Sequence, residues 1–276
     1  MFPLPFVDFP GPILAGLLFL TLAYLQVRHP LRIQRFSAWT RIFRNLVLAA
    51  PALVLLRLIM IPIPYFVAIW AQQQGIGIWN WLHWPFAIEA IGGALMFDYA
   101  YYWWHVGTHR IPLLWRFHNV HHTDLDMDVS TAARFHFLEI GFSVVYRVAI
   151  VLVTGVAPLV YLFYEMVFEL ATQFHHSNWR LPRRIEGLLN LVIVTPRMHG
   201  IHHSIVRDET DSNWSTVFCW WDRLHGSHRI DIAQDDIIIG VPAYRDEKEL
   251  TLGDLWKMPF RPIREWKLPD GSEPRR

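Results

Sequence analysis

The sequence predicts an all-α integral membrane protein, with about four transmembrane or hairpin helices and a histidine-rich helical cap. Three observations carry this expectation. Hydrophobic residues make up 53% of the 276 and charged residues only 18%, against about 25% charged in a typical soluble domain. The apolar residues gather in runs long enough to cross a bilayer. Of the 15 histidines, all but His29 and His83 lie from His105 to His228. A net charge of +1 gives no electrostatic case for nucleic acid. The single cysteine, Cys219, excludes an internal disulfide and a thiolate metal cluster. An aromatic share of 15%, with 14 tryptophans, suits membrane–water interfaces.

Taken in order, the first run is Phe9 to Val27, uncharged and long enough to span. Its positive charges follow the run and no small-residue cleavage site is present, which argues for a span over a signal peptide. Arg28, Arg32, Arg35, Arg41 and Arg44 then form a basic loop, cytoplasmic by the positive-inside tendency. Leu46 to Ala71 is a second run, interrupted by Arg57 and kinked at Pro51, Pro62 and Pro64. Trp84 to Trp104 is a third, carrying Glu89 and Asp98, which should face the protein interior. Phe137 to Phe174 is too long for one span and breaks at Thr154 to Pro158, a helical hairpin. Each half is about 25 Å of helix, slightly short of a bilayer core of about 30 Å. Ile185 to Val194 reads as an interfacial helix, and the chain from Arg245 as a surface tail. Alternating crossings then bring His105 and everything from His175 onward to the cytoplasmic face.

Three histidine boxes stand out: His105-x-x-x-His109, His118-x-x-His121-His122 and His199-x-x-His202-His203. On a helix, positions i, i+3 and i+4 share a face, so each box presents imidazoles in one direction. Neutral imidazole is a common ligand for first-row metals. Chance would produce an HxxHH box only about 0.04 times in such a chain, and there are two. No thiolate set or HExxH supports a zinc finger or zinc peptidase. Eight histidines exceed one metal's shell, so two metals are the natural reading. Iron suits an imidazole-rich redox site, while ligand chemistry alone leaves zinc and copper open. Carboxylates should orient the imidazoles and balance the charge. Asp98, two helical turns before His105, and Glu139, three residues after His136, are the candidates.

These motifs carry a resemblance. Asp98-Tyr-Ala-Tyr-Tyr-Trp-Trp-His105-Val-Gly-Thr-His109, Trp115-Arg-Phe-His118-Asn-Val-His121-His122 and Arg134-Phe-His136-Phe-Leu-Glu139 come first. Phe174-His175-His176-Ser-Asn178, Thr195-Pro-Arg-Met-His199-Gly-Ile-His202-His203-Ser204, Glu209-Thr-Asp-Ser-Asn213 and Trp221-Asp222-Arg223-Leu-His-Gly226 follow in order. Over about Asp98 to Arg229, the chain resembles the fatty acid hydroxylase superfamily, in its bacterial sterol desaturase branch. Three departures are visible. Phe137 replaces a usual proline, Gly200 stands where arginine is common, and His225 and His228 lie where aromatics are more frequent.

The resemblance implies residues 1–97 as N-terminal transmembrane helices, 98–229 as the catalytic region and 230–276 as a polar tail. It implies metal-ligand roles for the eight box histidines, and adds His176 and His136; His175 should point elsewhere. It implies two iron ions, dioxygen as oxidant and a sterol, fatty acyl or related lipid that is hydroxylated or desaturated. Electrons must come from outside, from a ferredoxin-like protein or small cytochrome with its reductase. The setting implied is the bacterial inner membrane, with the metals on the cytoplasmic side. The competing reading is a non-catalytic metal-binding or metal-transport protein. Transporters place ionisable ligands within their spans, whereas these boxes cluster outside them.

Overall fold

The first apolar run folds as α1 (Gly11–Arg28) in a computed structural model that describes residues 10–276. Phe9 lies outside the described residues. Helix α1 buries only Leu22 and Gln26, while Leu17, Leu20, Tyr24 and Val27 face outward. A helix that leaves so much apolar surface uncovered by protein is suited to lipid.

The second run forms α2 (Ala38–Leu55), a π-helical turn at Leu56–Met60 and α3 (Pro62–Gln74). The distortion falls between the prolines rather than on them. Pro62 offers no N–H and its ring crowds the carbonyl four residues back. The ladder therefore slips by one residue, and Ile61 N donates to Leu56 O at 3.0 Å. The third run continues past Trp104 as α4 (Phe86–Arg110), so the first histidine box rides the inner end of a 25-residue helix. Pro112 starts α5 (Pro112–His122), which carries the second box.

The expected hairpin is present as α6 (Phe137–Thr154) and α7 (Pro158–His176). Its turn needs glycine. Gly155 has φ +65°, and a Cβ there would sit 2.5 Å from Ile76 O and 2.9 Å from Gly77 Cα. The α3–α4 and α6–α7 connections thus meet backbone to backbone at the end away from the histidines. Helix α7 is central, packing on α1, α3, α4 and the short α8 (Pro196–His202) that bears the third box.

Among the described residues, three stretches are long and apolar enough to cross a membrane: Gly11–Arg28, Ala38–Leu82 and Phe137–Thr154. Among the described residues there is no extended strand, only isolated bridges such as Pro30 with Trp179. The loop after α1 lies against the chain after α7: Leu31 N donates to Asn178 O (2.8 Å) and Arg180 N to His29 O (2.7 Å). The loop and the histidine-bearing helix ends therefore share one side of the bundle.

Two expectations change. Arg41 and Arg44 do not belong to a solvated basic loop; both are buried on α2. Arg41 pairs with Asp124 and Asp128, carboxylates that follow the second box. The chain beyond Arg245 is also no simple surface tail. Leu250, Leu255 and Met258 are buried with Leu48 and Val120, because they supply the apolar side chains that close the cap over α2 and α5.

Candidate metal centre

The boxes do not act as three units. Two groups of imidazoles form instead, and the ligand atoms within each lie within 4.8 Å of one another. One group is His105, His109, His118, His122 and His202; the other is His121, His176, His199 and His203. The split follows from helix geometry. At 3.6 residues per turn, i and i+4 nearly eclipse while adjacent residues diverge by about 100°. In the second box His118 and His122 therefore go one way and His121 the other. In the third, His199 and His203 go one way and His202 the other. An HxxHH box on a helix end straddles two sites.

Hydrogen bonds fix which nitrogen each ring offers. A backbone carbonyl only accepts, so a ring nitrogen bonded to one carries the proton and leaves a lone pair opposite. His105 Nδ1 donates to Trp214 O, His202 Nδ1 to Ser212 O and His176 Nδ1 to Thr172 O, each at 2.8 Å. His118 Nδ1 donates to Glu139 Oε1 at 2.7 Å. The opposed Nε2 atoms of His118 and His202, and Nε2 of His109, are buried without a partner among the described residues. His176 Nε2 lies 3.0 Å from both His121 Nε2 and His199 Nε2, and His203 Nε2 lies 3.2 Å from His199 Nε2. Imidazole ligands set at right angles about 2.1 Å from one ion would be about 3.0 Å apart. Orphaned lone pairs at that spacing are what a pair of bound cations would satisfy.

Glu139 is where the sequence expects an orienting carboxylate, on His118. Asp98 is not: it touches no histidine. Its oxygens accept from Tyr164 Oη (2.8 Å), Trp221 Nε1 (2.7 Å) and Phe218 N (3.0 Å). It anchors the 214–222 segment, whose Trp214 carbonyl holds His105, and so positions a ligand at one remove. His136 belongs to neither group. Its Nδ1 accepts from Leu138 N (3.2 Å), capping α6, and its Nε2 faces Trp256 O (3.3 Å). The structure therefore places it apart from the nine grouped histidines. His175 is buried against His199, ring centroids 4.1 Å apart. His225 stacks on Tyr99 and Tyr102 at the surface.

Sequence reasoning missed the carbonyl acceptors, which no side-chain pattern betrays. It also missed Asp124-x-Asp126-x-Asp128, whose spacing was visible. Asp124 accepts from Asn45 Nδ2 and Thr131 Oγ1, each at 2.9 Å. Arg134 completes the brace, reaching Asn45 Oδ1 (2.7 Å) and Val120 O (2.9 Å) within the second box. Gly200 also has a reason here. A Cβ on it would collide with the Arg32 guanidinium, which occupies that space from another part of the chain.

Burial, then the charge of neighbouring imidazoles, holds His121, His122, His199, His202 and His203 well below the ordinary histidine pKa. Their folded pKa values are depressed, so the unfolded chain binds more protons once pH falls below about 6.5. Stability is present above that pH and lost below it. Metal-free protein is expected to melt at progressively lower temperature between pH 7.5 and 5.5 in detergent. A melting temperature constant over that range would contradict the burial of neutral rings.

Apolar helices that gather nine buried imidazoles into two groups, each able to hold a metal ion, define a class: helical membrane proteins with clustered histidines. The chain belongs to the fatty acid hydroxylase family, whose model matches residues 90–227. It is 30% identical to the ornithine lipid hydroxylase OlsE of Rhizobium tropici over 144 residues, 52% of this chain and 43% of that protein. It is 33% identical to the human alkylglycerol monooxygenase over 132 residues, 47% of this chain and 28% of that protein. A cholesterol 25-hydroxylase-like protein of Danio rerio is 26% identical over 137 residues, 48% of this chain and 52% of that one. The chain thus spans about half or less of the length of these relatives. No solved structure matches it.

Proposed function

We propose that the chain is a membrane-bound di-iron oxygenase that uses dioxygen to hydroxylate or desaturate a C–H bond of a lipid. The nine histidines of the two groups would hold the irons, within a catalytic region of residues 98–229. Bound iron would supply the reduction of dioxygen and the oxidising power to break an unactivated C–H bond. The observation that carries the reading is a single cavity of about 160 Å³ that reaches both groups. His105 and His118 of one group and His121, His176 and His199 of the other line one end. Leu53, Leu56, Met60, Trp104 and Phe168 supply much of the remaining wall, with Ser143, Arg147 and Glu169 among its polar members. Such a wall binds an acyl or ring hydrocarbon and keeps water from the reacting carbon. The names of the relatives, which specify ornithine lipid, alkylglycerol and cholesterol, support a lipid.

The chain's own residues bind, orient and exclude. Glu139 and the carbonyls of Trp214, Ser212 and Thr172 hold rings in one tautomer, the usual outer support of a metal site. Phe135 stacks on His121 at 4.4 Å and shields it. Electrons would arrive from a ferredoxin-like protein or small cytochrome with its reductase. The basic loop after α1, on the same side as the histidines, supports a cytoplasmic site at a bacterial inner membrane.

Leu53 is half-exposed at the edge of the cavity. Leu53→Trp is expected to cut product formation by about tenfold or more through steric exclusion of substrate, with bound metal unchanged. Mass spectrometry of lipids from cells with and without the gene should show a gain of one oxygen or a loss of two hydrogens. Full product with the tryptophan in place would detach the cavity from the reaction.

A further inference from the structure

A second cavity, of about 150 Å³, lies beside the loop that joins α1 to α2, apart from the histidines. Arg32, Arg35 and Arg245 line it, together with Asp126, Asp235 and Ile33. Arg32 is 6% exposed. Its Nη1 donates to Gln234 Oε1 (2.6 Å) and Pro196 O (3.3 Å). Its Nε and Nη2 are buried with no partner among the described residues. Unsatisfied donors on a buried cation are costly and call for an acceptor.

The counter-charge at hand falls short. Asp126 already uses Oδ2 to accept from Arg35 N (2.9 Å) and Phe36 N (2.8 Å), and Asp235 is exposed. Arg245 gives Nη1 to Ile239 O at 2.7 Å. Burial and the neighbouring Arg197 charge pull Arg32 down to about 10. Burial and Arg35 lower Arg245 as well. Three guanidinium groups face one cavity with two carboxylates, one of them already committed.

We propose that this cavity binds a phosphate oxyanion, presented by the headgroup of a membrane phospholipid. Guanidinium forks match phosphate oxygens in pairs and hold them with charge-assisted bonds. The location selects the source. The loop spans only the residues between two apolar helices that suit the membrane, so the cavity lies where lipid headgroups lie. Ile33, which lines the cavity and is 84% exposed, offers apolar surface for the glycerol and acyl portion. The bound headgroup would also brace the third box. Arg32 holds Pro196 O at the start of α8, and its Cζ lies 3.0 Å from where a Cβ on Gly200 would stand.

The test uses metal-loaded, full-length protein in detergent micelles, titrated with dioctanoyl phosphatidylglycerol and followed by native mass spectrometry. Saturable binding is expected. Dioctanoylglycerol, which has the same chains without phosphate, should bind about tenfold or more weakly, as should inorganic phosphate. Arg35→Gln and Arg245→Gln, on exposed and half-buried side chains, should each weaken the phospholipid by about tenfold, the scale of one charge-assisted bond. Circular dichroism and metal content should match the parent in both variants. Equal binding of the two dioctanoyl compounds, or unchanged phospholipid affinity in both variants, would overturn the proposal. Inorganic phosphate binding as tightly as the phospholipid would overturn the lipid source in favour of a free anion.

Discussion

His202→Ala is expected to lower bound metal from two ions per chain to one, and His121→Ala to do the same from the other group. Each removes one ligand from one group and leaves the neighbouring group's nitrogens in place. Losing even an orienting partner of a ligand costs about 10–100-fold in metal affinity or activity. Loss of the ligand itself should exceed that, and product formation should fall below about 1% of wild type in both. The two variants should be equivalent in turnover although His202 and His121 sit on different helices. Their equivalence is the informative result, because it distinguishes a paired site from one working metal beside a structural one. Metal content and turnover measured on the same preparation decide it. A variant that keeps both metals, or keeps activity with one, would remove its histidine from the proposed set.

Arg41→Met is the second large expected effect, and it acts on the fold. The guanidinium lies under the cap with Asp124 and Asp128, and all three side chains are wholly buried. Methionine fills similar space but takes the paired guanidinium from Asp128 and leaves Asp124 only the more distant Arg134 and Arg44 charges. Breaking a buried ion pair by removing one partner costs about 3–5 kcal/mol. The loss should reach the metal site, because the braced segment follows directly from His121 and His122. Thermal unfolding in detergent should shift downward by several degrees or more, and metal retention should fall with it. Asp124→Asn in the Arg41→Met background should recover part of the loss by removing one buried charge. Absence of any recovery would show that the network stabilises through shape alone.

Much of this centre is legible from spacing. HxxHH gathers three imidazoles at one helix end, and two such boxes with HxxxH set the metal reading from sequence alone. The apolar runs placed the hairpin and its Gly155 turn. Other features were out of reach for physical reasons. Which histidines share an ion depends on how three helix ends meet, so the exchange of His121 and His202 between groups is a tertiary fact. Asp98 has the right helical register for His105, yet it turns to Trp221, the Thr216 hydroxyl and the 217–218 backbone because those donors lie nearer in space. His136 has a ligand's chemistry, but its place just before Phe137 makes it the cap of α6. Arg41 and Arg44 count as loop charges by position and become buried partners only when the 124–128 segment and Glu247 pack on α2.

The central claim is that two groups of buried imidazoles each hold a metal ion beside one apolar cavity. The most direct measurement is the count of iron and other first-row metals per chain, made on protein purified anaerobically with iron supplied. Close to two irons per chain are expected, both lost together as pH is lowered through the range in which the histidines take up protons. Saturation at one metal per chain, or none, would contradict it.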